Sequence, residues 1–494
     1  MANRLFRSKC LVGFIALIMA LGTQAQSKAA KSELPQSEID CTVVVVGGGV
    51  SGLYTVYELS KKPWLNPKSI CLFEKDSRLG GRVYDVAMDN DHPELVFGLG
   101  ALRVLEGQDE IFALARELGV SLVAMPYQGD LINTRGIFSF SSDEINIKAY
   151  PNLGKSFINS NGRGTEDALW SWLFENRSSA HKYAELRSFA RDVLPKEGFQ
   201  FLHDISRFRA DFTRPINIEA FFQYYQEEDR QGVVPWYPIG GMSQFVVKMA
   251  EASRDRGVQV FMNEPVLHVE KLGRSYEVKT DYHVTQTKLV VFALDPLGLG
   301  HVKGPMSEAI QSQKQFRDLM PIEVVSINQK WPLPWWQQSG YEGQTINRAW
   351  TTEHCLNFIE IPLHDYGAKQ LVTRTVYSDA PGCNEFWKET MEKKGIKAIE
   401  EEIMRGLRHL FPKASIPSPT TTLFQVWPAG WYWLRGSSDY SVEDIAAWAV
   451  KPLEGENIAV VGDAYFIKRS GWIDGAVRSA QNFLKTVNEK TLDL

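Results

Sequence analysis

From residue 40 onward the chain opens on Cys41-Thr-Val-Val-Val-Val46, a β-branched stretch without alternating polar positions. A segment apolar on both faces fits a strand buried inside a parallel sheet. Helical character follows over Leu53 to Leu59, and a second buried-strand pattern, Ser69-Ile-Cys-Leu-Phe73, ends in Glu74. Much later, Gly240-Gly-Met242 starts a predicted helix through Ala250, followed by strand patterns at Val258 to Phe261 and Pro265-Val266. Near the C-terminus Asn457-Ile-Ala-Val-Val-Val-Gly462 repeats the buried-strand pattern and leads into a helical run through Val487. Pro151 to Arg230 is rich in helical patterns and charges and predicts a helical insertion. Strands alternating with helices point to the α/β class.

The N-terminus carries a different pattern. Arg4, Arg7 and Lys9 precede an apolar run from Leu11 to Leu21, and Thr23-Gln-Ala25 supplies small residues near a cleavage point. This predicts a signal peptide over residues 1–25, too short to span a bilayer comfortably, and hence a secreted or periplasmic protein with no stable membrane span after its removal. An uncleaved anchor is the competing reading. Export permits disulfides. Cys41 and Cys71 read as buried strand residues, and a Cys355–Cys383 bridge is one pairing that spacing cannot establish. A formal net charge of −5 gives no reason to expect nucleic acid or an anionic membrane. With no CxxC or His/Cys cluster, no metal is expected. The 14 Trp, 17 Tyr and 26 Phe direct attention to an aromatic pocket.

The first strand enters Gly47-Gly-Gly49-Val-Ser51-Gly52, a GxGxxG pattern. Gly47 permits the tight turn, Gly49 admits a pyrophosphate against the backbone, and Gly52 lets helix and strand pack closely. The helix N-terminus offers amides and a positive dipole end. Glu74 stands where a carboxylate accepts ribose hydroxyls. Lys75 and then Arg78-Leu-Gly-Gly81-Arg82 follow it.

Glu74 followed by RLGGR resembles the signature of the flavin amine oxidase superfamily, which includes monoamine oxidases and L-amino-acid oxidases. The resemblance implies a discontinuous Rossmann-like FAD-binding domain, a mixed-sheet substrate domain and a helical insertion. Along the chain this places FAD binding in residues 40–106, 237–320 and 450–494. Substrate binding falls in 107–130 and 321–449, and the helical domain in 131–236. By the same resemblance Gly81 and Arg82 lie along the cofactor, Val266 meets the adenine through its backbone, and Gly462-Asp463 binds the ribityl chain. Ile473, Asp474, Gly475 and Ala476 then face the flavin pyrimidine, where a helix N-terminus stabilises developing negative charge. Covalent monoamine oxidases carry a flavin-linked Cys before the C-terminal motif. Gln425 to Trp433 contains none, so noncovalent FAD is expected.

Phe97-Gly-Leu-Gly100-Ala101-Leu102-Arg103 resembles the L-amino-acid oxidase segment whose Arg pairs with the substrate carboxylate. A guanidinium fork matches a planar carboxylate; a structural ion pair at a helix start is the competing reading. Tyr377 matches a Tyr that binds the same carboxylate, with a core strand tyrosine as the alternative. Trp472 matches the pocket aromatic, and Gly471 offers a carbonyl to the amino group. Trp433 belongs to an aromatic run that lines a pocket or fills a core. Lys330 resembles the lysine that holds a water near flavin N5, against the reading of a surface lysine. No histidine base is evident in Phe221 to Arg230. The implied activity is oxidation of free L-amino acids, with large apolar or aromatic side chains favoured, to 2-oxo acid, ammonia and hydrogen peroxide. The partners are the L-amino acid and O2, and a homodimer is expected. A tryptophan-2-monooxygenase-like enzyme and an amine or polyamine oxidase are the alternatives.

Overall fold

The computed structural model describes residues 36–492 except 89–91, 93–95, 126–128, 159–163, 229–232 and 362–370. The predicted signal peptide therefore lies outside the described residues. Strands Gln259–Phe261, Ile70–Phe73, Val43–Val46, Leu289–Phe292 and Ile458–Val460 form, in that order, one parallel sheet. The central three strands are buried at every position, which is why their sequences show no polar alternation. Helix Val50–Leu59 packs on this sheet between helices Ser243–Arg256 and Ile473–Leu484. Strands far apart in the chain thus meet in one layer.

Two details differ from the sequence reading. Cys41 and Cys71 are fully buried as expected, but they are disulfide-bonded to each other. Cys41 lies before strand Val43–Val46 rather than in it, and its Cα stands 5.7 Å from that of Cys71 on the neighbouring strand. Pro265 and Val266 belong to no strand, and the next one is His268–Leu272. Asn263 adopts a left-handed φ of 56° and turns the chain, and Pro265 has no amide to give a ladder. The Cys355–Cys383 bridge is formed.

The second large sheet is mixed. Its order is Thr421–Leu434, Leu319–Lys330, Val372–Ser378, Phe358–Glu360, Arg348–Thr351, Asp130–Thr134 and Ile137–Ser139. Only the Arg348–Thr351 and Asp130–Thr134 pair runs parallel. Helices between Ser142 and Glu228 cover one side, and the last, Ile218–Glu228, packs against Thr421–Leu434. Their aromatic residues, among them Phe189, Phe201, Phe212, Phe221 and Phe222, form one continuous core with that long strand.

Candidate active site

The glycine-rich turn has the geometry that a dinucleotide needs. Gly47 has φ of 105°, and a Cβ there would stand 2.5 Å from the Ala293 carbonyl oxygen. A Cβ on Gly52 would stand 2.0 Å from the Gly47 oxygen, so only glycine lets the helix sit on the turn. A Cβ on Gly49 would meet nothing within 4 Å, which leaves that face open for a ligand to approach the backbone. Glu74 is buried and accepts the Gly48 amide at 2.7 Å and the Asp76 amide at 2.8 Å. Gly80 donates to the Gly48 oxygen at 2.8 Å, laying the RLGGR segment along the turn, with Gly81 beside Gly49. Val266 is buried two residues past Glu264, whose amide bonds the Glu74 carbonyl at 2.8 Å. Lys75, expected beside Glu74 to bind the cofactor, has an exposed side chain ion-paired with neighbouring Asp76 at 2.9 Å.

The two ends of the chain are joined here. Arg82 donates to Asp463 Oδ2 at 3.0 Å and to the Gly430 oxygen at 2.7 Å, with a second short contact to Asp463 Oδ1. Arg82, expected along the cofactor, and Asp463, expected at the ribityl chain, are thus bound to each other. A buried carboxylate beside a guanidinium fork takes it up because both would otherwise lose their hydration uncompensated. Burial opposes the charge on Arg82, but Asp463 and Asp295 outweigh it and raise its pKa. Asp463 also accepts the Gly471 amide at 2.7 Å. Ser51 is buried with its hydroxyl 3.4 Å from the Val461 carbonyl, and Gly462 donates to Ser479 Oγ at 3.1 Å. Ile473, Asp474, Gly475 and Ala476 form the buried first turn of the Ile473–Leu484 helix. Asp474 takes Arg478 at 2.9 Å through one oxygen, whereas its buried Oδ1 has no hydrogen bond among the described residues. The open cradle at Gly49, the buried Glu74 and this helix start together fit FAD.

Next to the helix start lies a cavity of about 100 Å³. Gly100, Ala101, Leu102, Arg103, Tyr377, Trp433, Gly471, Trp472 and Ile473 all line it, so these expected residues are brought together. Lys330 is not among them. It ends its strand paired with Thr421 and Val372, whereas Trp427, which approaches Gly100, pairs with Val324. Six residues at about 3.3 Å each put Lys330 roughly 20 Å further along the sheet, so its assigned role is corrected.

Sequence reasoning missed the charged partners in the wall. Glu360, whose side chain is 12% exposed, lies between Arg103 at 2.7 Å and Arg374 at 3.1 Å. Burial pushes its carboxyl up, but Arg103, Arg374 and Arg348 prevail and hold it below the ordinary carboxylate value. Arg374 also donates to the Gly98 and Gly100 oxygens at 3.2 and 3.0 Å, fixing the segment that carries Arg103. Asp211 accepts Trp433 Nε1 at 3.2 Å and the Tyr225 hydroxyl. Burial pushes its carboxyl up to about 8. The Tyr377 hydroxyl is also raised by burial, despite nearby Arg374. Three guanidinium groups, on Arg103, Arg207 and Arg374, thus face two carboxyls across the cavity. Phe208, Trp431, Tyr224 and Trp472 supply much of the apolar wall, with Trp472 Nε1 bonded to the Tyr224 hydroxyl at 3.2 Å. The Gln425–Trp433 aromatic run was one available signal. Nothing local to Glu360 or Asp211 marks them.

Among known proteins, the flavin-containing amine oxidoreductase family description matches residues 50–483. Aplysianin-A of Aplysia kurodai is 22% identical, over 91% of this chain and 90% of its own length. Achacin of Lissachatina fulica is 34% identical over 101 residues, 20% of this chain and 18% of its own. The structure of cyclohexylamine oxidase from Brevibacterium oxydans superposes with a TM-score of 0.68 at 16% identity, covering 92% of this chain and 99% of that one. The glycine turn, the joined chain ends and the family match over most of the sequence agree, and the chain belongs to the flavin-containing amine oxidoreductase family.

Proposed function

We propose that the protein is an exported L-amino-acid oxidase that holds FAD noncovalently and converts free L-amino acids to 2-oxo acid, ammonia and hydrogen peroxide. The observation that carries this reading is the set of three guanidinium groups beside two carboxyls in a partly open, aromatic-walled cavity. Positive charge in such a place calls for an anionic group on the substrate. A plain amine brings none; an amino acid brings its carboxylate.

When bound, FAD supplies the acceptor for the hydride from Cα and passes the electrons to O2. Gly47, Gly49, Gly52, Glu74 and Val266 would hold its nucleotide half, and Asp463 with the Ile473–Ala476 turn its flavin half. The protein's own contribution is positioning. Arg103 binds the substrate carboxylate with Glu360 fixing the guanidinium from behind, and the Tyr377 hydroxyl donates to the same group. The Gly471 carbonyl accepts from the amino group and orients it. Trp433, Trp472 and Phe208 exclude water and accept a large side chain. Two disulfides suit an oxidising compartment, and no described helix is long and apolar enough to cross a membrane.

A peroxide assay across the twenty L-amino acids, their D-enantiomers and simple amines tests the activity. L-selective peroxide release with a 2-oxo acid product is expected. An amide with CO2 indicates a monooxygenase instead, and turnover of amines alone removes the carboxylate argument. Acid precipitation should release all the yellow colour into the supernatant, and a yellow pellet would overturn noncovalent binding.

A further inference from the structure

The fold assembles metal-ligating side chains that no spacing in the chain announces. Glu353 and His354 lie on the turn between strands Arg348–Thr351 and Phe358–Glu360. His409 lies on the last turn of helix Ile396–Leu410. One ligand atom from each of the three lies within 4.8 Å of the other two. His409 Nε2 is 2.8 Å from Glu353 Oε2, yet this buried nitrogen has no aligned hydrogen bond. A ring nitrogen touching a carboxylate out of line is expected where both point at a shared third position. The His354 and His409 rings stand 5.3 Å apart.

The surroundings hold the turn in place. The Trp387 indole donates to the Cys355 carbonyl at 2.8 Å, and the Cys355–Cys383 disulfide ties the same residue to helix Pro381–Lys394. A Cβ on Gly406 would stand 3.0 Å from His354 Cβ and 2.6 Å from Leu356 Cδ1, so glycine lets the His409 helix come this close. His354, Cys355 and Asn357 keep left-handed φ values of 55°, 52° and 55°. Non-glycine residues persist in that conformation only where their surroundings impose it.

We propose that Glu353, His354 and His409 form a binding site for one divalent transition cation of the zinc type, with the remaining coordination positions open to water. Two imidazoles and a carboxylate suit zinc chemistry and disfavour the all-oxygen cations magnesium and calcium. Tetrahedral bonds of about 2.0–2.2 Å place ligand atoms roughly 3.4 Å apart, so small side-chain rotations close the site. None of the three residues lines the cavity, so the cation braces rather than reacts. It ties the turn leading into the Glu360 strand to the helix behind it.

The test uses the full-length, flavin-loaded protein after treatment with a chelator. Calorimetric titration with zinc chloride alone should give one equivalent per chain. Cobalt(II) should give the visible ligand-field bands of a low-coordinate nitrogen–oxygen site. His354→Ala and His409→Gln should each weaken zinc by about tenfold or more and remove the cobalt bands. His354 is exposed, so its truncation leaves the fold intact, and the flavin spectrum checks this. Unchanged zinc binding in the double variant, or neither heat nor cobalt bands in the parent, would overturn the proposal.

Discussion

Arg103 works against Glu360 before it works on any substrate. Its guanidinium is already paired at 2.7 Å, and Arg374 shares the same carboxylate. Both readings weighed for this arginine, a structural pair and a substrate anchor, are therefore compatible, because a fork with several donors serves two acceptors. Arg103→Ala removes the anchor and leaves Glu360 with Arg374 as its remaining hydrogen-bonded partner, and kcat/KM for the best amino acid should fall by about 3–5 kcal/mol. Steady-state kinetics within twofold of the parent would refute the role. Asp211 gives a pH signature instead. Its carboxyl, ordinarily near 3.8, is pushed up to about 8 by burial. The folded state thus favours the protonated form, and the stability that form contributes is present below about pH 4 and lost as pH rises to about 8. Asp211→Asn should flatten this decline, read as thermal midpoint against pH; an unchanged slope counts against the assignment.

At the scale of elements, the glycine turn and its helix act as one unit. Gly52→Ala drives a methyl into the Gly47 carbonyl oxygen, 2.0 Å away. The expected result is a folded protein that loses its yellow colour on gel filtration, and full flavin retention would contradict the geometry. The Cys41–Cys71 bridge closes a loop with a sequence separation of 30 and ties the segment entering strand Val43–Val46 to strand Ile70–Phe73. Replacing both with Ser should cost about 3.6 kcal/mol of stability by loop-closure entropy, read as a lower midpoint in denaturant without reductant. An identical midpoint would mean that the bridge contributes nothing.

For the whole molecule, the decisive contact joins residue 82 to residue 463. Arg82 and Asp463 tie the segment beside the glycine turn to the C-terminal helix start, and Asp463 also fixes the Gly471 amide in the cavity wall. Asp463→Asn keeps the shape and removes the charge, leaving Arg82 with only the weaker influence of Asp295. Flavin affinity should fall by about tenfold or more, measured by retention under dilution, and substrate KM should rise with it because Gly471 shifts. A change in KM with flavin binding intact would show that the contact serves the cavity alone.

The amino-acid sequence by itself determined the glycine turn and four of the five strands of the parallel sheet, all but Leu289–Phe292. It also marked Glu74 and the segments around Arg103 and Trp472. Each follows from a constraint met within a few residues: an apolar run for a buried strand, absent side chains for a tight turn, a helix start beside a ligand. Tertiary structure alone decided which distant groups face one another. It set Glu360 and Arg374 against Arg103, placed Asp211 in the aromatic wall, paired Cys41 with Cys71, carried Lys330 away from the cavity and drew Glu353, His354 and His409 together. These outcomes depend on strand register and helix docking across hundreds of residues. One residue of register turns a side chain to the other face of a sheet, and no local pattern encodes that choice.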